Sequence, residues 1–285
     1  MKICRYQIEQ APARLGWVVE DQWIVDLAAM GMTSLESLLE EPDLSTKLER
    51  LVTVQTPGIP LATARLLPPL ERQEVWAAGV TYQRSKTARM AESEFSATAY
   101  DRVYEAARPE LFFKSLPEKV VGPGEAVGIR RDAQWSVPEP ELALFLNSRG
   151  QVVGCTIGND MSSRDIEGDN LLYLPQAKIY ERSCALGPWV VLDAAEPEIR
   201  SWSLTVRIER DNAIVFVGET SVDRLKRSFG ELAEYLFRCQ QFPHGAVLLT
   251  GTGIVPPDDF TLRAGDRVRI NLSGLGELEN PVVEV

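Results

Sequence analysis

The pattern that most restricts this chain is Val137-Pro-Glu-Pro-Glu-Leu142, followed by Val152-Val-Gly-Cys-Thr-Ile157 and Gly158-Asn-Asp-Met-Ser-Ser-Arg-Asp165. Successive side chains of a strand point to opposite faces, so Glu139 and Glu141 project together while Leu142 and Leu144 face the core on the other side. Two carboxylates at that spacing repel each other unless a cation or a shared proton lies between them. The second run reads as another strand, ending in Asn159-Asp160. If the strands pair, Asp160 joins the glutamates in a three-carboxylate site. Hard oxygen donors without His or Cys suit Mg2+, Mn2+ or Ca2+ rather than zinc. The plainer reading keeps Glu139 and Glu141 on the solvated face of a half-exposed strand, and Pro140 between them argues for an edge or a bulge.

At 285 residues the chain has room for one large domain and a smaller appendage. Its net charge of −11 disfavours sequence-independent attraction to nucleic acid or anionic membrane. Cys4, Cys155, Cys184 and Cys239 show no paired spacing and read as buried reduced thiols. Cys184 lies near Lys178, yet nothing beside it in sequence would activate it as a nucleophile. With no apolar leader at the N-terminus and no long apolar run, the expectation is a cytoplasmic enzyme.

Residues 1–68 read as a small α+β unit, a cap packing on a catalytic domain over 69–285. Leu15–Val19 and Trp23–Leu27 are expected as strands, followed by a helix capped by Thr33 or Ser34 with Glu36 behind it. Val75–Val80 reads as a buried strand, and 83–107 as a helix whose polar side carries Arg84, Lys86, Arg89, Glu92 and Glu94. A charged helix face is ordinarily solvated. Leu204–Arg210 and Ala213–Val217 form a hairpin around Asp211-Asn212, and 228–240 an amphipathic helix with Leu232, Tyr235 and Leu236 on one face. Gly245–Leu249 is a buried strand that delivers Thr250-Gly-Thr252, either a plain tight turn or a place where backbone N–H groups and the Thr252 hydroxyl meet a substrate carboxylate. Ala264-Gly-Asp266 precedes a final strand pair.

Several of these pieces occur together and in order: Glu-x-Glu-Leu, Gly-Asn-Asp-x-Ser-x-Arg-Asp, Lys178, Leu186-Gly-Pro-Trp189, Thr250-Gly-Thr252 and Gly274-Leu-Gly-Glu-Leu-Glu-Asn-Pro281. From about Trp76 to Pro281 the chain resembles the fumarylacetoacetate hydrolase family. The resemblance implies a β-roll catalytic domain, in a mixed fold of β with some α, behind a small N-terminal domain. It implies a divalent metal on Glu139, Glu141 and Asp160, an active-site lysine at Lys178, a lid over 83–107, and a homodimer or homotetramer.

One departure bears on the chemistry. Hydrolases of that family usually read Gly-x-Asn-Tyr-x-x-His-x-x-Glu where this chain has Gly79-Val-Thr-Tyr-Gln-Arg-Ser-Lys-Thr-Ala88, so the asparagine, histidine and glutamate become Thr81, Ser85 and Ala88. The single histidine, His244, lies elsewhere and reads as a turn or surface residue. Carbon–carbon cleavage between carbonyls needs a water activated by a general base. Dehydration through a metal-stabilised enolate of a 2-oxo acid does not need that water. Gly79-Val-Thr-Tyr82, Ala88-Arg-Met90, Arg108-Pro-Glu-Leu-Phe-Phe-Lys114, Leu174-Pro-Gln-Ala-Lys178 and Ser183-Cys-Ala-Leu-Gly-Pro188 look like the 2-keto-3-deoxy-D-arabinonate dehydratase branch of the family. That implies conversion of a 2-keto-3-deoxypentonate to 2,5-dioxopentanoate in pentose catabolism. The rival readings are a hydrolase or decarboxylase of a 2,4-dioxo acid, and a non-catalytic binding module. For the proton-abstracting base the candidates are Lys178 and Glu92, with Ser85 orienting a substrate hydroxyl. Substrate contacts are expected from Arg89, Thr252, Lys178 and Arg164, the last rather bracing the site with Asp165.

Overall fold

The strand Pro140–Leu146 is buried at every residue, on both parities of its side chains. PELALFL therefore belongs to a sheet covered on both faces. The computed structural model describes residues 1–42, 44–51, 58–83 and 102–285. Its strands are β1 (Lys2–Gln7), β2 (Arg14–Val19), β3 (Trp23–Asp26), β4 (Gly58–Pro60), β5 (Arg65–Leu67), β6 (Glu74–Gly79), β7 (Glu110–Ser115), β8 (Val127–Ile129), β9 (Ser136–Val137), β10 (Pro140–Leu146), β11 (Val152–Asp160), β12 (Ser162–Ser163), β13 (Cys184–Leu192), β14 (Ser203–Arg210), β15 (Ala213–Ser221), β16 (Ala246–Leu249), β17 (Arg267–Leu272) and β18 (Gly276–Glu284). An eleven-stranded sheet has the order β4-β3-β2-β1-β13-β11-β10-β16-β6-β7, with β5 also beside β1. A five-stranded sheet runs β15-β14-β17-β18-β8, and β9 pairs with β12. This is the expected mixed, sheet-dominated fold.

Two cores sandwich the large sheet. On one face Leu142, Leu144, Cys155 and Ile157 pack with Leu204, Val206, Ile270 and Leu278 of the five-stranded sheet. On the other, Ala143, Phe145, Leu186 and Leu249 meet Leu35, Leu38, Leu39 and Leu48 from the N-terminal helices. The face that carries Glu139 and Glu141 is thus a second core and not a solvated surface. Nor is β10 an edge, since it lies between β11 and β16. Pro140 fits because it is the strand's first residue, a position that tolerates a missing N–H.

The local readings follow their physical signals. Ser34 caps the helix Leu35–Glu40, accepting from the Ser37 N–H, and Ser228 caps Phe229–Phe237, which buries Phe229, Leu232, Ala233 and Leu236. Asp211 and Asn212 take φ of 51° and 63° in the turn between β14 and β15, the left-handed pair that a tight hairpin requires. Cys4, Cys155 and Cys184 are buried and free, and burial pushes each thiol up to about 12, so none is a ready nucleophile. Cys239, expected inside, is exposed just beyond its helix. The helix expected over 83–107 falls mostly outside the described residues.

The topology gathers one rim of the large sheet. β6, β11 and β16 end there, at Gly79, Asp160 and Leu249, while β7, β10 and β13 begin there, at Glu110, Pro140 and Cys184. The register agrees: Gly79 pairs with Glu110, Pro140 with Asn159, and Asp160 with Cys184. Six strand ends therefore deliver their side chains to one place.

Candidate active site

The pairing of β10 with β11 does what the sequence pattern requires. The Asp160 N–H donates to the Glu139 carbonyl at 3.0 Å, which sets the aspartate beside the two glutamates. Carboxylate oxygens of Glu139, Glu141 and Asp160 lie within 4.8 Å of one another, and all three residues are buried. Lys178 closes the group from the last residue of the helix Leu174–Lys178, whose start is fixed by Pro175. Its Nζ donates to Glu139 Oε2 at 2.8 Å, Asp160 Oδ2 at 2.9 Å and Ser162 Oγ at 2.5 Å. It also lies 5.8 Å from the centre of the Phe112 ring. Its 1% exposure rules out a solvated lysine.

Charge is unevenly matched here. Burial raises the Glu141 carboxyl well above its ordinary value, helped by Asp160 and Glu139 and opposed by Lys178 and the Gly251 N–H. For Asp160 burial also pushes upward, but Lys114 and Lys178 overcome it and hold the group below the usual carboxylate range. The triad is thus an anionic oxygen cage, incompletely neutralised by the protein, with donors suited to a hard divalent cation. A proton and a metal compete for Glu141. The proton's hold weakens as pH rises through the raised value, so the increase in Tm on adding Mg2+ is expected to be larger at pH 8 than at pH 5.5. A pH-independent increment in thermal scans would contradict this.

The residues lining the cavity include Glu110, Phe112, Glu167, Lys178, Gly251 and Thr252 together with the triad. The Thr252 hydroxyl exchanges hydrogen bonds with the Ile254 backbone. The Gly251 N–H points to Glu141 Oε2 at 2.6 Å, fastening a triad member. Gly251 has φ of +94°, and a Cβ there would sit 2.0 Å from Thr81 Oγ1, so only glycine fits the turn. Arg164 is buried, its guanidinium 5.4 Å from the centre of the Trp135 ring, while Asp165 accepts from the Gln134 N–H. Neither residue lines this cavity. Ser85, Arg89 and Glu92 lie outside the described residues. His244 sits in the turn before β16 with Nδ1 2.8 Å from Glu36 Oε2, away from the cavity.

Motif reasoning does not single out Glu110, Lys114 and Glu167 for this site. The first two carry a signal all the same, since Glu110, Phe112 and Lys114 alternate along β7 and so share a face. Glu110 reaches over Gly79, where a Cβ would come 2.1 Å from its Oε2. Lys114 is fully buried, with Nζ 2.5 Å from Asp160 Oδ1.

Residues 74–283 match the family model described as fumarylacetoacetate (FAA) hydrolase C-terminal. A probable 2-keto-3-deoxyxylonate dehydratase of Haloferax volcanii is 48% identical over 219 residues, covering 76% of this chain and 74% of that one. A 2-dehydro-3-deoxy-D-arabinonate dehydratase of Saccharolobus solfataricus is 40% identical over 221 residues, with the same coverage of 76% and 74%. The solved structure of a 2-keto-3-deoxy-D-arabinonate dehydratase complexed with magnesium and 2,5-dioxopentanoate superposes with a TM-score of 0.83 at 32% identity, covering 100% of this chain and 99% of that one. With a rim of buried carboxylates and a lysine built on this sheet, the chain belongs to the fumarylacetoacetate hydrolase family.

Proposed function

We propose that this chain is a divalent-cation-dependent hydro-lyase that converts a 2-keto-3-deoxypentonate to 2,5-dioxopentanoate and water. The observation that carries the proposal is the buried Glu139–Glu141–Asp160 cage with Lys178 set into it, in a chain similar to dehydratases of such acids. Mg2+ suits the cage best, with Mn2+ or Ca2+ as substitutes. Bound there, the cation supplies Lewis acidity that polarises the 2-keto group and acidifies the C3–H bond.

The protein's own groups do the rest. Lys178, an ammonium shared between two carboxylates, stands at the cavity wall and stabilises negative charge growing on the substrate oxygens. It donates to Glu139, Asp160 and Ser162 as a charged ammonium, which leaves it poorly suited to take a proton. Glu110 is the better base: it faces the cavity, is only partly buried, and is not one of the three cage carboxylates. It accepts the C3 proton and returns it to the C4 hydroxyl, which departs as water with a C3–C4 double bond left behind, and later proton transfers from C5 to C3 convert the C5 carbinol to the aldehyde. Thr252 borders the substrate, Arg89 and Ser85 keep their expected roles of binding it and orienting its hydroxyl, and Glu92 keeps its expected role as the rival base. Glu110→Gln is expected to lower kcat by about 10²–10⁴-fold with Mg2+ affinity unchanged; an unaltered kcat removes Glu110 from the mechanism.

The whole reading is tested by supplying Mg2+ with a 2-keto-3-deoxypentonate and following 2,5-dioxopentanoate. Its formation supports the dehydratase. Cleavage of acylpyruvates or release of CO2 without dehydration contradicts it and favours the 2,4-dioxo-acid reading.

Residues 1–68 are read as a cap unit before the catalytic domain of 69–285, which accords with a family match that begins at residue 74. Self-association as a homodimer or homotetramer is supported by the exposed Ile214, Val215 and Val217 on β15, at the end of its sheet. A cytoplasmic place in pentose breakdown completes the proposal. No helix among the described residues is long and apolar enough to cross a membrane.

A further inference from the structure

Asp160 is held by two lysines that differ in kind. Lys178 lines the cavity and meets Oδ2 at 2.9 Å. Lys114 does not line it, is 0% exposed, and meets Oδ1 at 2.5 Å. The ammonium of Lys114 is also anchored to the chain, donating to the Met161 carbonyl at 3.0 Å and the Lys178 carbonyl at 2.5 Å. An ammonium has three N–H donors; two are spent in these contacts, while Asp160 Oδ1 meets the ammonium as an ion pair outside hydrogen-bond geometry. The two hydrogen bonds tie β7 to the turn after β11 and to the end of the helix that presents Lys178. Such a group has nowhere to turn. One oxygen of Asp160 is therefore held against a fixed positive charge outside the cavity lining, and the other accepts from Lys178, which lines the cavity.

We infer that Lys114 is a positioning residue that restricts Asp160 to one-oxygen ligation and thereby sets the cage's preference for a small cation over a large one. The inference rests on the cage being a divalent-metal site, as proposed above. Mg2+ demands near-ideal octahedral geometry with short bonds, and one oxygen per carboxylate meets that demand. Ca2+ accepts more ligands and takes carboxylates through both oxygens. A lysine locked on Oδ1 withholds the extra oxygen that the larger ion would use. Lys178 divides its donors among Asp160 Oδ2, Glu139 and Ser162 and does not exert this control.

The test is calorimetric titration of the full chain with Mg2+ and with Ca2+, for the wild type and for Lys114→Met. Methionine fills similar space without a charge or donors. Comparing the two ions within each protein cancels the loss of a nearby positive charge, which acts on both alike. The ratio of Ca2+ to Mg2+ affinity is expected to rise at least about tenfold in the variant, as a second oxygen becomes available. A ratio within about twofold of wild type overturns the inference, because a merely structural lysine leaves it unmoved. Should Lys114→Met fail to fold, a crystal structure of the Ca2+-loaded wild type decides. Asp160 bound through Oδ2 alone with Lys114 still on Oδ1 supports the assignment, and Asp160 bound through both oxygens overturns it. If the wild type binds neither ion, the metal site itself is wrong and both readings fall. If binding is lost in Glu141→Gln while the Lys114→Met ratio stays put, only this inference falls.

Discussion

Glu141→Gln is expected to abolish metal-dependent turnover while leaving the metal-free protein at least as stable as the parent. The two halves have one cause. Glu141 is buried beside two other carboxylates, and its carboxyl is raised well above the usual value by burial first and by Asp160 and Glu139 next. A folded pKa above the unfolded one means that stability is present below the unfolded value and is lost as pH rises through the folded value. A neutral side chain of the same shape removes that penalty, and its amide oxygen still accepts from the Gly251 N–H, 2.6 Å from Oε2 in the parent. The metal, however, loses an anionic ligand. Forfeiting several kcal/mol of Lewis-acid stabilisation corresponds to a loss of about 10³-fold or more in kcat/KM. Steady-state assays with a melting curve in EDTA check both halves. Full activity in the variant contradicts the site assignment.

Asp160→Asn is expected to act in the opposite sense on stability. Asp160 is the shared counter-charge of two lysines that are 0% and 1% exposed, with Nζ atoms at 2.5 and 2.9 Å. Removing it strands the ammonium of Lys114 and leaves Lys178 with Glu139 as its carboxylate. Breaking a buried ion pair from one side costs about 3–5 kcal/mol, which for a chain of this size lowers Tm by roughly 5–15 °C. Activity is lost as well, but the diagnostic result is the contrast in EDTA: Asn at 160 destabilises where Gln at 141 does not. Equal melting temperatures for the two variants would show that the lysines find other partners and that the charge arrangement described here is wrong.

Much of the site is legible in the sequence because it is local. Glu139, Glu141 and Asp160 sit on two strands joined by a short turn, so alternation and pairing alone bring them together. Lys178 follows within the same stretch of chain. The burial of Glu139 and Glu141 is not legible, because what surrounds them comes from Phe112, Leu174 and Gly251, on other elements distant in the chain. A two-residue period reports what a strand's own side chains prefer, not what a distant helix lays across them. Pro140 misleads for a related reason. A proline argues against a central strand only where the ladder needs its N–H, and at the first residue it does not.

Lys114 and Glu110 are harder to find. Both lie on β7, whose contact with the triad depends on β6 pairing in parallel with β16, a long-range choice that no short pattern encodes. A buried lysine also resembles any other lysine until its acceptors are known, and here both are backbone carbonyls, at 161 and 178. The missing histidine of the family hydrolases, by contrast, is plain in the sequence. Ser85 stands at its position, and the only histidine in the chain is bound to Glu36 outside the cavity. That one replacement, of an imidazole by a hydroxyl, is what points away from hydrolysis and toward dehydration.

The most direct test of the central claim is the initial rate of 2,5-dioxopentanoate formation from a 2-keto-3-deoxypentonate by protein stripped with EDTA and then titrated with Mg2+. Negligible turnover is expected in EDTA, with a saturable recovery at one Mg2+ per chain that is absent from Glu141→Gln at every concentration. Undiminished turnover in EDTA would contradict that claim.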